Sequence, residues 1–147
     1  MLVNRRLVEK LAQGERIAVF PEGTTSDGKS LLPFRAALLQ SAIEAGCVVQ
    51  PLALRYTDAR GRNAEAMTYC GDTSFWQSLC AIVAAHGVSA NITILEEIPA
   101  IDLSRRELAE RSHAAILKAL RHHGSVAQDT RQEYIDLLFT TAQMRAR

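Results

Sequence analysis

Short apolar runs alternate along this chain with segments of helical periodicity. Runs rich in apolar and β-branched residues predict strands at residues 16–20, 47–56, 67–71 and 88–95. Apolar spacing and helix-start signals predict helices at residues 2–13, 35–46, 75–86 and 104–121, with a last one from residue 130. Strands that alternate with helices in this way predict an α/β fold, a layered sheet with flanking helices.

The length and charge of the chain indicate a single globular domain and argue against a nucleic-acid-binding protein. A chain of 147 residues that is 48% hydrophobic can bury the core of one domain. Its 17 Lys and Arg are balanced by 16 Asp and Glu, and the two signs are interspersed, so no nucleic-acid partner is expected. The three cysteines form no CxxC pair, and His122-His123 has no third ligand close in sequence, so no metal site is expected.

The apolar segments are too short to cross a bilayer. Spanning needs about 18 or more consecutive apolar residues, and no run approaches that length. The N-terminal segment has the pattern of an amphipathic helix and not that of a signal peptide. We therefore expect any membrane contact to be peripheral. We also expect a partial domain over residues 1–128 and a helical tail over residues 129–147.

The segment Phe20–Ser26 is a predicted strand end followed by a turn of small residues, Phe-Pro-Glu-Gly-Thr-Thr-Ser. Gly23 lets the backbone approach a ligand closely or adopt positive φ. Backbone N–H groups in such a turn can bind an anion. A carboxylate repels phosphate, so Glu22 would better accept a hydrogen bond from a substrate hydroxyl or fix a cation. A plain turn with local Thr and Ser hydrogen bonds also fits the composition.

This segment resembles the Phe-Pro-Glu-Gly-Thr-Arg-Ser motif of the glycerolipid acyltransferases, with a single change. Leu32–Arg35 is similar to the family's Leu-Pro-Phe-Lys segment, and Val48–Leu54 is similar to its later strand motif around a proline. The three motifs follow the family order, and the resemblance covers about residues 1–120. The chain thus resembles the C-terminal part of the 1-acylglycerol-3-phosphate acyltransferases, a family that includes bacterial members.

The resemblance implies a function and a set of site residues. Glu22, Gly23 and Thr24 would bind the acceptor, with Arg35 as a further candidate for charge pairing. A fatty acyl group would pass from acyl-CoA or acyl carrier protein, the co-substrate, to a lysophospholipid such as 1-acylglycerol 3-phosphate. No other cofactor and no metal are implied. The intact enzyme would work in phospholipid biosynthesis at the cytoplasmic face of the cell membrane.

Two departures from the family pattern leave alternatives open. Thr25 stands where the family has Arg, and a hydroxyl cannot pair with phosphate as a guanidinium does, so a lyso-ornithine lipid acceptor stays open. The catalytic His-x4-Asp motif is absent, because Asn91 follows His86 and Lys118 follows His113 at that spacing. The catalytic residues are therefore unassigned. We expect an incomplete enzyme, with a non-catalytic lipid-binding remnant as the alternative.

Gly23–Ser30 also fits the pattern G-x-x-x-x-G-K-[ST] of nucleotide-binding P-loops. A P-loop opens directly into a helix that carries the Lys and Ser in its first turn. Pro33 would fall about one turn into that helix, where proline costs about 3 kcal/mol. A nucleotide binder is therefore the least favoured alternative, and under the acyltransferase interpretation Lys29 is an ordinary loop residue.

Overall fold

The computed structural model describes residues 2–69, 71 and 73–122. The predicted helix from residue 130 and the predicted tail lie outside these residues. The helices are α1 (Leu2–Ala12), α2 (Gln40–Ala45), α3 (Phe75–Ala84) and α4 (Arg105–His122), with 3₁₀ helices at Ala36–Leu39 and Glu65–Met67. The strands are β1 (Val48–Val49), β2 (Leu52–Thr57), β3 (Ser89–Ile94) and β4 (Ile98–Pro99).

The strands form two small antiparallel sheets, and with the helices they give the predicted α/β fold. Strand β2 pairs with β3 from Leu52↔Ile94 to Thr57↔Ser89, and β1 pairs with β4. The predicted strand over residues 47–56 is divided at Gln50-Pro51, because proline has no N–H to donate to a ladder. Pro51 therefore lies just before β2 and outside both strands.

Two predicted strands are wrong. Residues 16–20 form no strand, and Phe20 is 78% exposed. A strand needs a neighbour for its backbone N–H and C=O groups, and none of the four described strands pairs with this segment. The second, at residues 67–71, has its first residue in the 3₁₀ helix Glu65–Met67, and residues 68, 69 and 71 form no strand.

Local cap chemistry sets the ends of the helices. Ser74 Oγ accepts the Gln77 N–H at 3.2 Å, and Gln77 Oε1 accepts the Ser74 N–H at 2.9 Å, a complete capping box for α3. The predicted capping box of Ser104 and Glu107 starts α4. Gly46 ends α2 in the left-handed conformation, at φ 59°, where the helix predicted over residues 35–46 also ends.

The main core lies where α2, α4 and the β1–β4 sheet meet. Leu108 of α4 is fully buried at its centre. It packs in a cluster with Leu39, Ala42, Ala100 and Ala109. Within the described part of the chain, no helix combines the length and the apolar character needed to cross a membrane.

Candidate functional site

The segment that carries the predicted site begins with a tight turn. The Gly23 N–H donates to the Phe20 carbonyl at 3.1 Å, and Pro21 occupies the second position of the turn, where its fixed φ is suited. Gly23 has φ 67°, a left-handed conformation that glycine adopts without steric cost. The sequence expectation of positive φ at Gly23 is confirmed.

The loop that follows is closed at its base by two hydrogen bonds. Glu22 Oε2 accepts the Leu32 N–H at 2.8 Å in a half-buried position. The Arg35 N–H donates to the Pro21 carbonyl at 2.8 Å. Sequence reasoning missed this internal role of Glu22, because no spacing rule links a carboxylate to a backbone N–H ten residues later. The pair holds residues 22–32 as a compact loop with exposed residues at its tip.

The tip of the loop is tied to the segment after β2. Asp27 Oδ1 accepts the Lys29 N–H at 3.0 Å, a local turn. Asn63 Nδ2 donates to the Gly28 carbonyl at 3.2 Å, and Asn63 Oδ1 accepts from Arg55 Nε at 3.0 Å. Asn63 thus connects strand β2 to the loop. This contact was also not foreseen from the sequence, since it joins segments distant along the chain.

The loop forms one wall of an open cleft of about 1510 Å³. The segment after β2 and the C-terminal end of α4 form other walls. The loop contributes the charged Lys29 to the cleft, and the segment after β2 contributes Arg62 and Glu65. Of the four predicted binding residues, Glu22 and Thr24 line the cleft, while Gly23 and Arg35 do not. The candidate site therefore has two parts. Glu22 and Thr24 form the cleft side of the loop, and we call the part with Gly23 and Arg35 its outer side.

On the outer side, Arg35 lies across Gly23. A Cβ placed on Gly23 would be 2.7 Å from Arg35 Cδ and 2.8 Å from Arg35 Nε. Only a residue without a side chain leaves room for this contact. Arg35 is exposed and forms no ion pair within residues 2–69, 71 and 73–122. The structure thus brings Gly23 and Arg35 together, and the charge-pairing role of Arg35 stays a prediction.

The turn also exposes hydrogen-bond donors. Thr24 and Thr25 are both exposed, and neither their hydroxyl nor their N–H groups bond to another residue of the described segments. These donors lie immediately after Gly23 in sequence. They are available to a ligand with anionic or hydroxyl oxygens.

Asp58 shapes the opposite wall. Its Oδ1 accepts the N–H groups of Arg60 and Arg62, both at 2.9 Å, and its Oδ2 accepts from the Arg62 guanidinium at 3.0 and 2.9 Å. These donors hold the pKa of the Asp58 carboxyl below its usual value, and the hydrogen bond from the Arg62 N–H has the largest effect. Both oxygens of the Asp58 carboxylate therefore accept hydrogen bonds from the turn that Asp58 itself begins.

The histidines do not form a catalytic pair. His86 lines the cleft, and the ring of His113 packs edge-on against Phe34 with centroids 5.0 Å apart. Within the part of the chain that the structure describes, neither His86 nor His113 hydrogen-bonds a carboxylate. The catalytic base stays unassigned. Within the described residues no group of three His, Cys, Asp or Glu could hold a metal ion.

The geometry of a P-loop is not met. Lys29 and Ser30 lie in bends, and the next helical residue is Ala36, beyond Pro33. A P-loop would need Lys29 in the first turn of a helix whose N-terminus faces the phosphates. The nucleotide-binding alternative is therefore not supported by the local structure.

Comparison with known proteins places the chain in a family. The family model Acyltransferase matches residues 2–55, which include the loop. The chain is 40% identical over 119 residues to a lyso-ornithine lipid O-acyltransferase of Pseudomonas aeruginosa, covering 81% of this chain and 46% of that protein. It is 48% identical over 67 residues to a 1-acyl-sn-glycerol-3-phosphate acyltransferase of Neisseria gonorrhoeae, covering 46% of this chain and 26% of that protein.

A further relative is a lyso-ornithine lipid O-acyltransferase of Rhizobium meliloti, 48% identical over 59 residues, or 35% of this chain and 20% of that protein. The chain spans less than half of the length of these curated relatives. No solved structure matches it. The family-model match covers all three motifs, and the Pseudomonas relative is similar to most of the chain. The chain therefore belongs to the glycerolipid acyltransferase family and carries part of that family's domain.

Proposed function

We propose that this chain supplies the acceptor-binding part of an enzyme that transfers a fatty acyl group to a lysolipid. The acyl donor is a thioester, acyl-CoA or acyl carrier protein, and the acceptor is a lysophospholipid such as 1-acylglycerol 3-phosphate. The observation that carries the proposal is the loop closed by Glu22 and Leu32, which presents Thr24 to the cleft within the segment matched by the family model.

The reaction needs a positioned hydroxyl and a base. The acceptor hydroxyl attacks the thioester carbonyl carbon, a C–O bond forms, the C–S bond breaks, and the thiol leaves with a proton. A base that takes the hydroxyl proton contributes about 10²–10⁴-fold to such a step. The family resemblance assigns that base to a His-x4-Asp motif, which residues 1–147 do not contain. This chain would therefore bind and orient the acceptor.

Each loop residue has a distinct part in acceptor binding. Thr24 lines the cleft, and its hydroxyl and N–H can donate to an acceptor oxygen. Glu22 holds the loop closed through Leu32, so its contribution is to position Thr24. Gly23 allows the turn and gives Arg35 room on the outer side.

A lyso-ornithine lipid is a second candidate acceptor. Two observations favour it. The similarity to the Pseudomonas aeruginosa lyso-ornithine lipid O-acyltransferase extends over 81% of this chain, and the neutral Thr25 stands where the phosphate-binding family motif carries Arg. Either acceptor is an amphiphile, so we further propose that the enzyme works in peripheral contact with the cytoplasmic face of the membrane.

An acyl-transfer assay tests the proposal. Purified residues 1–147 are incubated with labelled acyl-CoA or acyl carrier protein and with each acceptor in turn. We expect no turnover from this chain alone, because it holds no His-x4-Asp motif. The DNA upstream of Met1 is sequenced in parallel, and any in-frame extension that encodes the motif is expected to give transfer.

The outcomes separate the alternatives. Turnover by residues 1–147 alone would overturn the assignment of the base to a segment outside this chain. Saturable acceptor binding with a stop codon directly upstream of Met1 would instead favour a non-catalytic lipid-binding module. A Glu22→Ala variant that binds the acceptor as well as the unaltered chain would remove the loop from the proposal.

A further inference from the structure

An arginine of the cleft wall is tied to the tip of the loop. Arg55 of β2 is half-buried and lines the cleft. Its Nε donates to Asn63 Oδ1 at 3.0 Å, and Asn63 Nδ2 donates to the Gly28 carbonyl at 3.2 Å. Asn63 thus connects Arg55 to the tip of the loop, whereas Glu22 and Thr24 lie at the start of the loop.

The backbone holds Asn63 in position for this contact. Thr57 at the end of β2 and Asn63 form an isolated antiparallel bridge. Next to that bridge, the Ala64 N–H donates to the Tyr56 carbonyl at 3.1 Å. The strand that carries Arg55 and the segment that carries its partner are therefore fixed to each other. An arginine held in this way loses less side-chain freedom when it binds a ligand.

The guanidinium of Arg55 keeps donors for a ligand. Among residues 2–69, 71 and 73–122, its side chain bonds only through Nε and forms no ion pair, so the terminal Nη1 and Nη2 groups have no partner there. Arginine binds phosphate and carboxylate through two parallel N–H···O hydrogen bonds. The free end of Arg55 therefore has the donors that these anions need.

The carboxylates of the cleft do not neutralise Arg55. Within the described part of the chain, the carboxylates that line the cleft and form no ion pair with it are Glu22, Asp27, Asp58 and Glu65. Asp27 lies 4.0 Å from the Lys29 ammonium, and Asp58 accepts from the Arg62 guanidinium at 2.9 Å. A half-buried positive charge attracts an anion more strongly than an exposed one, because solvent and salt screen it less.

We propose that Arg55, held by Asn63, forms a second subsite of the cleft, which binds a phosphate or carboxylate group of a substrate. The subsite is separate from the turn at Glu22–Thr24, because its contacts are with the tip of the loop. The proposal rests on the acyl-transfer function proposed above. Either the phosphates of the acyl donor or the head group of the acceptor can supply the anion. Arg55 contacts it, and Asn63 is a positioning residue.

Calorimetric titrations of residues 1–147 test the subsite with three ligands, coenzyme A, short-chain 1-acylglycerol 3-phosphate and short-chain lyso-ornithine lipid. Pantetheine and 1-acylglycerol are the matched ligands without phosphate. Arg55→Gln should weaken binding of the ligand whose anion occupies the subsite by about 10-fold or more, and it should leave binding of the matched ligand unchanged. A loss for coenzyme A alone identifies the acyl donor as the source of the anion, and a loss for a lysolipid alone identifies the acceptor.

Three further variants separate a binding role from a structural one. Arg60→Gln is the control for loss of one positive charge, because Arg60 is exposed on the same turn and does not line the cleft. Asn63→Asp keeps an acceptor for Arg55 Nε but places a negative charge beside the guanidinium, so it should weaken anion binding as Arg55→Gln does. Arg55→Lys keeps the charge without the paired donors and should retain part of the affinity. Thermal unfolding of each variant shows that it is folded.

Unchanged binding of all three ligands by a folded Arg55→Gln variant would overturn the subsite and leave the proposed acyl-transfer function intact. An equal loss in Arg60→Gln would also overturn it, since the effect would then belong to net charge. A folded Asn63→Asp variant that binds as tightly as the unaltered chain would remove the positioning role of Asn63. Absence of saturable binding of every ligand would count against both the subsite and the proposed function.

Discussion

Glu22 is the residue on which the shape of the candidate site depends. Its half-buried carboxylate accepts the Leu32 N–H at 2.8 Å and so joins two points of a loop that contains no helix or strand. Hydrogen bonds to charged groups contribute about 1.5–3 kcal/mol, more than a neutral pair. The position of Thr24 in the cleft is therefore set by a carboxylate that points into the loop.

Glu22→Ala should lower the free energy of unfolding by about 1–2 kcal/mol, since the half-buried Leu32 N–H loses its acceptor. Urea unfolding followed by circular dichroism measures this change. Glu96→Ala is a matched control at an exposed position, and it should change stability by less than about 0.5 kcal/mol. Identical unfolding midpoints for the two variants would show that the bond to Leu32 carries no stability.

At the level of the elements, helices α3 and α4 are both started by capping boxes. Ser74 with Gln77 and Ser104 with Glu107 each exchange two hydrogen bonds of 2.8–3.2 Å between side chain and backbone. Helix α3 begins with the exposed Phe75 and Trp76, and α4 supplies the buried Leu108 to the core. The same type of cap therefore starts one helix whose first residues are exposed and another that packs into the core.

Ser74→Ala should destabilise the chain by about 1 kcal/mol, because the Gln77 N–H at the start of α3 loses its side-chain acceptor. The measurement is the urea midpoint, with Ser30→Ala, an exposed serine of the loop, as the control. A loss no greater than that of the control would contradict the structural role of the cap.

The cap of α4 should make stability depend on pH. Hydrogen bonding to Ser104 holds the pKa of the Glu107 carboxyl below its ordinary value of 4.5. The stabilising contribution of the carboxylate is therefore complete above pH 4.5 and is lost as the pH falls through the lower folded-state pKa. Unfolding of the unaltered chain and of Glu107→Gln should differ at neutral pH and converge on acidification. A difference in stability between the two proteins that stays constant from neutral to acidic pH would contradict this role of the Glu107 carboxylate.

On the scale of the whole molecule, a large apolar surface is uncovered. Leu52 and Leu54 of β2 lie opposite Ile94 and Ile92 of β3, and these four side chains are 38–59% exposed. Phe75, Trp76 and Val83 of α3 are 69–75% exposed. Exposed apolar side chains that neighbour one another across paired strands promote association of folded chains.

Replacing the facing pair Leu54 and Ile92 should reduce self-association. Leu54→Glu with Ile92→Lys places opposite charges across the two strands, so the pairing of β2 with β3 is retained. Light scattering should fall at equal protein concentration, and the unfolding midpoint should change little. Ala114→Lys on the exposed side of α4 is the control. Equal scattering from the double variant and the unaltered chain would show that this face does not drive association.

The features predicted correctly from the sequence are those set by neighbours along the chain. The capping box of Ser104 follows from residues three apart, and the helices follow from local periodicity. The features that were predicted wrongly or missed depend on contacts with residues distant along the chain. Residues 16–20 have strand composition but no strand to pair with, and β4 was missed because two residues carry no periodic signal. The contacts of Glu22 with Leu32 and of Arg35 with Gly23 likewise exist only once the loop has closed.

The most direct test of the central claim is a calorimetric titration of residues 1–147 with a water-soluble, short-chain 1-acylglycerol 3-phosphate. The account predicts saturable binding that Thr24→Ala weakens about three- to tenfold, since one exposed hydroxyl donor is lost without harm to the fold. The same titration with ATP should show no binding. Absence of saturable lysolipid binding, or ATP binding that Lys29→Ala removes, would contradict the assignment of this loop to a lipid acceptor.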